Sequence, residues 1–416
     1  MTYDDKPSAA ANLPPVLALP AEGSERPAVI IPSTKNAPST VVSYKDLNES
    51  VTRVQSTLAQ FGVGEGTRVA LVLPNGLEFV GSFLAVIRQR ATAAPLNPQY
   101  KREELKDILR LMRPSLLISM KSTHLISASV LAAQDLAIPV AICRTEGPNI
   151  YIEGEHSSSG AESHVPIHSP YDLRPSDKAV LLFTSGTTGA PKSVALSHEN
   201  LLVAMRIIID AHKLSPADRC MIITPLFHII GVGGSLLTSL FSGGLDSSMR
   251  RLAHYPIAST VEVMILPSEG RAGNHPDAGR LTNEPGIVGE ICVRGKSIMT
   301  GYLDNPKANE QAFLFGGFFR TGDLGVIKEH GYLQLTGRIK EIINKGGEKI
   351  SPSEIEHVAS SFEGVRESVC FRIPDEIYGE EVGVAAVIEV GKQVTEAALK
   401  KHFRQHVAMF KVPKAV

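Results

Sequence analysis

The run Leu181-Leu182-Phe183-Thr184-Ser185-Gly186-Thr187-Thr188-Gly189-Ala190-Pro191-Lys192-Ser193-Val194 constrains this chain more than any other stretch. Ala179 to Phe183 is continuously apolar and reads as a buried strand. Six small or hydroxylated residues follow at once, and such residues let a backbone turn tightly and approach a ligand. Successive N–H groups in such a turn converge on an anion. Thr184, Ser185, Thr187 and Thr188 add hydroxyl donors, and Lys192 adds a positive charge. The phosphate tail of a nucleotide matches this set. A Walker P-loop does not: the spacing is Gly186-x-x-Gly189-x-x-Lys192, and the stretch has no Gly-Lys-Ser/Thr ending.

At 416 residues the chain exceeds what one core usually organises, so two or three domains are expected. Hydrophobic content of 43% and charged content of 20% are those of an ordinary globular protein. Lys plus Arg number 42 and Asp plus Glu 43, so charge gives no reason to expect nucleic acid or a membrane surface as partner. Cys143, Cys220, Cys292 and Cys370 are far apart and read as reduced, mostly buried thiols of an intracellular protein. No run is long and apolar enough for a transmembrane segment. Residues 1–15 lack the apolar core of a secretory signal, and Lys414-Ala415-Val416 is not a peroxisomal address. The expected location is therefore cytoplasmic or peroxisomal, without a C-terminal peroxisomal signal.

Alternation of helix and strand patterns predicts an α/β fold with parallel strands covered by helices. Ser43-Tyr44-Lys45-Asp46 has the form of a capping box. Behind it Leu47, Val51, Val54, Leu58 and Phe61 lie on one helical face, which Gly62 and Gly64 end. Further helices are expected at 77–88, 101–112 and 200–212, and strands at 68–73, 91–96, 116–120, 140–143 and 220–224. Residues 144–177 read as a polar surface connection. After Cys220–Thr224 comes Pro225-Leu226-Phe227-His228, which sets an imidazole beyond the carboxyl end of a strand, where open α/β sheets hold ligands. Later, Gly289–Gly295 reads as a strand, and Gly325–Lys328 pairs with Tyr332–Leu335 across Glu329-His330-Gly331.

The stretch 181–194 closely resembles the phosphate-binding loop of the adenylate-forming enzymes, except that Ser193 stands where Gly is usual. Pro225-x-x-His228, Phe319-Arg320-Thr321-Gly322-Asp323, Thr336-Gly337-Arg338-Ile339-Lys340-Glu341 and Lys345-Gly346-Gly347-Glu348-Lys349-Ile350 resemble further elements of that family. The likeness spans about Ser43 to Pro413. Its branch looks like the acyl-CoA synthetases and CoA ligases, closest to peroxisomal-type enzymes of fungi and plants.

The resemblance implies a large N-terminal domain, 1–337, with parallel-rich sheets and a small β-rich subdomain. It also implies a hinge at 338–340 and a small mobile α+β C-terminal domain, 341–416. Thr184, Ser185, Gly186, Thr187, Thr188, Gly189 and Lys192 would hold ATP phosphates, while Asp323 and Arg338 would hold the ribose. His228 would steer a small-molecule carboxylic acid, Lys340 would sit at the hinge, and Gly346 with Gly347 would line the path of CoA. Magnesium is implied, but its ligand is unknown.

Two departures stand out. Between Phe241-Ser242-Gly243-Gly244 and Val261-Glu262-Val263-Met264-Ile265-Leu266, both family-like, lie only residues 245–260. The family there carries a segment with a Tyr-Gly-x-Thr-Glu loop, absent from this sequence; an internal deletion is the expectation. Past Phe410-Lys411-Val412-Pro413 the family continues to a Gly-Lys whose Lys this chain lacks, which reads as a C-terminal truncation. The implied activity is ATP-dependent acid–CoA ligation. The alternatives are an impaired or inactive relic that at most binds nucleotide, and a peptide-synthetase adenylation domain.

Overall fold

The computed structural model describes residues 24–33, 38–120, 127–154, 165–184, 192–242, 261–267, 281–346 and 348–416. It divides into two compact units, Met1–Val261 with Gly295–Asn309, and Glu262–Arg294 with Glu310–Val416.

In the first unit β1 (Pro27–Ile31) and β2 (Thr40–Ser43) form an antiparallel pair. The main sheet joins β3 (Arg68–Val72), β4 (Thr92–Pro95), β5 (Leu116–Met120), β6 (Val140–Glu146), β7 (Asn149–Glu153), β8 (Lys178–Thr184) and β9 (Lys192–Ser197). Their order is β7-β6-β5-β3-β4-β8-β9. The strands from β6 to β8 run parallel, while β7 and β9 are antiparallel edges. Helices α1 (Tyr44–Gln60), α2 (Leu77–Arg88) and α5 (His198–His212) pack on one side; α3 (Arg102–Met112) and α4 (Ala128–Asp135) pack on the other. Along β3, Val69 and Leu71 enter the first core and Ala70 and Val72 the second. Burial on both faces is why these strands read as unbroken apolar runs.

The capping box forms as expected: the Asp46 amide donates to Ser43 Oγ at 3.0 Å, and the Ser43 amide donates to Asp46 Oδ2 at 3.3 Å. Leu47, Val51, Val54 and Leu58 are buried and Phe61 is half-buried. Residues 144–177 are more than a connection: β6 runs to Glu146 and turns back through β7. The antiparallel pairing buries Ile150 and Ile152 against the core, a two-residue alternation too short to register in a polar stretch. Cys220–Thr224, expected as a strand, is not one among the described residues. Cys143, Cys292 and Cys370 are buried, and Cys220 is exposed; all four are free. Burial pushes the Cys143 and Cys370 thiols up to about 12.

The second unit holds two four-stranded sheets. One orders β10 (Val261–Pro267), β11 (Val288–Gly295), β12 (Phe319–Ile327) and β13 (Leu333–Arg338). The hairpin expected between Gly325 and Leu335 is present, with Val326 opposite Gln334. The other sheet has the order β15-β14-β17-β16, from β14 (Ile343–Lys345), β15 (Glu348–Ile350), β16 (Val365–Asp375) and β17 (Gly379–Ile388). Helices Pro352–Ser360 and Glu396–His406 close its core around Ile343, Ile355, Val382 and Phe403. The architecture is thus the α/β fold expected, with a β-rich sheet and a smaller α+β body following.

At the amino ends of β4 and β8, Arg90 takes a left-handed conformation (φ 59°) and its buried guanidinium bonds Asp177 and Glu65, each at 2.8 Å. His198, the first residue of α5, donates its backbone N–H to the Asp177 carbonyl at 3.0 Å. Its ring is fully buried, and neither nitrogen has a hydrogen-bond partner. Burial lowers its pKa to about 4, against the opposing pull of Asp177. The unfolded imidazole titrates near 6.5, so between about pH 6.5 and 4 the unfolded chain binds the extra proton. Stability from the neutral ring is therefore complete above about pH 6.5 and lost as pH falls towards 4. Denaturant titrations should show about 3 kcal/mol lost over that window, and the His198→Gln protein should lose that much less.

Candidate functional site

Of the residues expected to hold ATP phosphates, Ser185, Gly186, Thr187, Thr188 and Gly189 lie outside the described residues, and Thr184 and Lys192 within them. Thr184 ends β8, Lys192 begins β9, and the two are Cα partners across the pair. Thr184 and Lys192 are therefore neighbours across an antiparallel pair, about 5 Å apart. Thr184 stands at the carboxyl end of β8, a strand parallel to β4, the end at which open α/β sheets place ligands. The Lys192 ammonium stands 4.8 Å from the ring centroid of Tyr302. Segment 295–309 fastens this region: Leu303 donates its N–H to the Ser193 carbonyl at 2.8 Å, and Val194 bridges to Tyr302. Tyr302 was not singled out by the sequence, because its contact with Lys192 spans over a hundred residues.

His228 is exposed, with its ring tilted against that of Phe227 at 4.7 Å. Its N–H donates to the Pro225 carbonyl at 3.1 Å, and its carbonyl accepts from Val232 at 3.0 Å. Behind it runs a π-helix, Ile230–Leu237, a form enriched at functional sites. Gly231 is required there: a Cβ would stand 2.1 Å from the Pro225 carbonyl oxygen. The loop carrying His228 is tied down by Asn75. Its Nδ2 donates to the Thr224 carbonyl at 2.9 Å, and its Oδ1 accepts the Leu226 N–H at 2.8 Å. Asn75 is not singled out by the sequence, since nothing local reveals a partner some 150 positions away.

In the second unit Asp323 and Arg338, expected at the ribose, face each other across β12 and β13 as Cα partners. Arg338 Nε lies 2.8 Å from Asp323 Oδ1. The Arg338 side chain is 65% exposed, so this pair is weakly held and open to exchange with a ligand's hydroxyls. The Thr321-Gly322-Asp323 turn is braced from β11 by Glu290. This buried carboxylate bonds Arg320 at 2.8 Å and accepts the Gly322 N–H at 3.2 Å, and Gly322 has φ 78°. Glu290 lies in the stretch Gly289–Gly295 read as a strand, and its bonds brace the neighbouring strand's turn.

Lys340 sits in the turn between β13 and β14. There Ile339 N–H donates to the Gly322 carbonyl at 2.9 Å, and the Arg338 carbonyl accepts from Glu341 and Ile342. Gly346 (φ 58°) begins the β14–β15 connection and donates to the Tyr378 carbonyl at 3.0 Å. A Cβ at Gly346 would meet the Tyr378 ring at 3.0 Å. Beside it Lys345 makes a buried ion pair with Glu381 at 2.7 Å. Gly347 lies outside the described residues. Among the described residues no three His, Cys, Asp or Glu side chains gather as a metal site, so no residue is assigned to magnesium.

Comparison with known proteins follows the same lines. The family model of AMP-binding enzymes matches residues 20–264, and that of the AMP-binding enzyme C-terminal domain matches residues 354–416. The acyl-CoA synthetase FUM10 of Gibberella moniliformis is 42% identical, over 96% of this chain and 94% of that protein. An oxalate–CoA ligase of Arabidopsis thaliana is 32% identical, over 90% of this chain and 89% of its own length. Among solved structures, ATP-bound MatB from Rhodopseudomonas palustris superposes with a TM-score of 0.76 over 94% of this chain and 92% of that one. At 22% identity that likeness speaks to fold alone. No described helix is long and apolar enough to cross a membrane. The chain belongs to the AMP-binding enzyme family, in its acyl-CoA synthetase and CoA ligase branch, and is an acid–thiol ligase.

Proposed function

We propose that the chain joins a carboxylic acid to CoA at the expense of ATP, through an acyl-adenylate. The observation that supports this reading is the β8–β9 pair, in which Lys192 stands opposite Thr184 at the carboxyl end of β8, in a chain of this family. A carboxylate oxygen of the acid attacks the α-phosphorus of ATP, the bond to the bridging oxygen breaks, and pyrophosphate leaves. The CoA sulfur then attacks the acyl carbon, the thioester forms, AMP leaves with the carboxylate oxygen, and the thiol proton passes to solvent.

Such chemistry rests on positioning and on charge placed in advance. Lys192 and the backbone amides of Ser185 to Gly189 hold the β- and γ-phosphates, with Tyr302 keeping the ammonium in place. Asp323 accepts the ribose hydroxyls while Arg338 turns from the carboxylate to the nucleotide. His228 orients the acid, and Asn75 positions His228. Residues 338–340 are the hinge between a large domain, 1–337, and a small one, 341–416; rotation about Lys340 exchanges the adenylating face for one in which Gly346 and Gly347 border the pantetheine arm. Relatives named as ligases along nearly the whole chain lend the inactive alternative no support.

Pyrophosphate release measured over a panel of carboxylic acids should show an acid-dependent, ATP-dependent signal, with AMP and thioester appearing on addition of CoA. A folded protein that releases none with any acid overturns the proposal. Lys192→Ala should lower kcat/KM for ATP by about 10²-fold, the worth of a charged contact at a phosphate. Asn75→Ala removes two hydrogen bonds, together about 1–2 kcal/mol. It should lower kcat/KM for the acid about tenfold and leave the affinity for ATP unchanged.

A further inference from the structure

Segment 295–309 carries Tyr302 to Lys192, and two asparagines moor it. At its start the buried Asn200 of α5 donates through Nδ2 to the Lys296 carbonyl at 2.7 Å and to the Ile298 carbonyl at 3.0 Å. At its end stands Asn309, in the short helix Pro306–Ala312. Asn309 Oδ1 accepts the Tyr302 N–H at 2.6 Å, and its Nδ2 donates to the Tyr302 carbonyl at 2.9 Å. One side-chain amide thus takes both backbone polar groups of the residue whose ring faces Lys192. Gly301 makes the approach possible: its φ is 150°, and a Cβ there would stand 3.0 Å from both Asn309 Nδ2 and Oδ1.

The clasp leaves the Tyr302 ring little freedom beyond its own side-chain torsions. Tyr302 is half-buried, and its ring centroid stands 4.8 Å from the Lys192 ammonium. Lysine carries its charge on a flexible four-carbon stem, so an aromatic face can place that charge only if the face itself is fixed. The next residue, Leu303, donates to the Ser193 carbonyl at 2.8 Å, which ties the same turn to the start of β9. Because Asn200 holds the other end, loss of Asn309 frees the turn that bears Tyr302 without releasing the segment.

We propose that Asn309 is a positioning residue for ATP: acting through Tyr302, it sets where the Lys192 ammonium meets the phosphates. The inference rests on the reading of Lys192 as a phosphate ligand.

Asn309→Ala should lower kcat/KM for ATP about tenfold, the worth of two hydrogen bonds, and leave KM for CoA in the second half-reaction unchanged. Asn309→Asp keeps the acceptor for the Tyr302 N–H and loses the donor, so its loss should be smaller. Asn305 Oδ1 accepts the Ala308 N–H at 3.0 Å in the same helix, and Asn305→Ala should lower the Tm while leaving kcat/KM for ATP unchanged. In the Lys192→Ala protein, Asn309→Ala should cost nothing further, because the two act as one unit. If the Asn309→Ala loss persists in full there, or if Asn305→Ala reproduces it, Asn309 serves the fold alone and the proposal is overturned. An unchanged kcat/KM for ATP in Asn309→Ala overturns it too. Should Lys192→Ala by itself leave kcat/KM for ATP unaltered, the phosphate reading of Lys192 falls and takes this inference with it. If Asn309→Ala does not fold, Asn309→Asp carries the same comparison.

Discussion

The antiparallel pairing of β8 with β9 is the constraint on which the rest of the site depends. β8 is held in the sheet by β4 on one side and buried on both faces, with Val180 in one core and Leu181 in the other. A strand so held cannot shift register without turning apolar side chains to the wrong face. Its last residue, Thr184, therefore stands at a set height, and pairing brings Lys192 opposite it.

A similar economy governs the second cluster. Asp323 and Arg338 are neighbours because β12 and β13 are paired, and the turn before Asp323 is shaped by Glu290 from the strand on the other side. The exposed ion pair contributes little to stability, which leaves both groups available to a ligand. In the first unit the exposed His228 owes its position to two bonds from Asn75 and to a glycine that lets the π-helix press against Pro225. In each case the group proposed for chemistry is accessible while the groups that aim it are tied to the scaffold.

Much of this was legible in the chain. Periodicity found α1, and the capping box set its start. Apolar runs found β3, β5 and β8, because strands buried on both faces need unbroken hydrophobic sequence. The short edge strand β7 was not legible, since its alternation is brief and its neighbours are polar. The failure at Cys220–Thr224 has a different cause. Its residues have a strand's pattern, but pattern expresses what a segment would bury, and among the described residues nothing covers Met221 or Ile223.

What the sequence determined by itself is the chemistry on offer: a small-residue, hydroxyl-rich loop ending in Lys192, an imidazole after a proline turn, and a carboxylate on a glycine turn. Those depend on residue type and on spacings of a few positions, which local geometry enforces. What only the tertiary structure decided is which group serves which. Tyr302 against Lys192, Asn75 under the His228 loop, and Glu290 behind the Asp323 turn are contacts between distant parts of the chain. No local spacing encodes them, because they arise from strand order and packing, which the whole core selects at once.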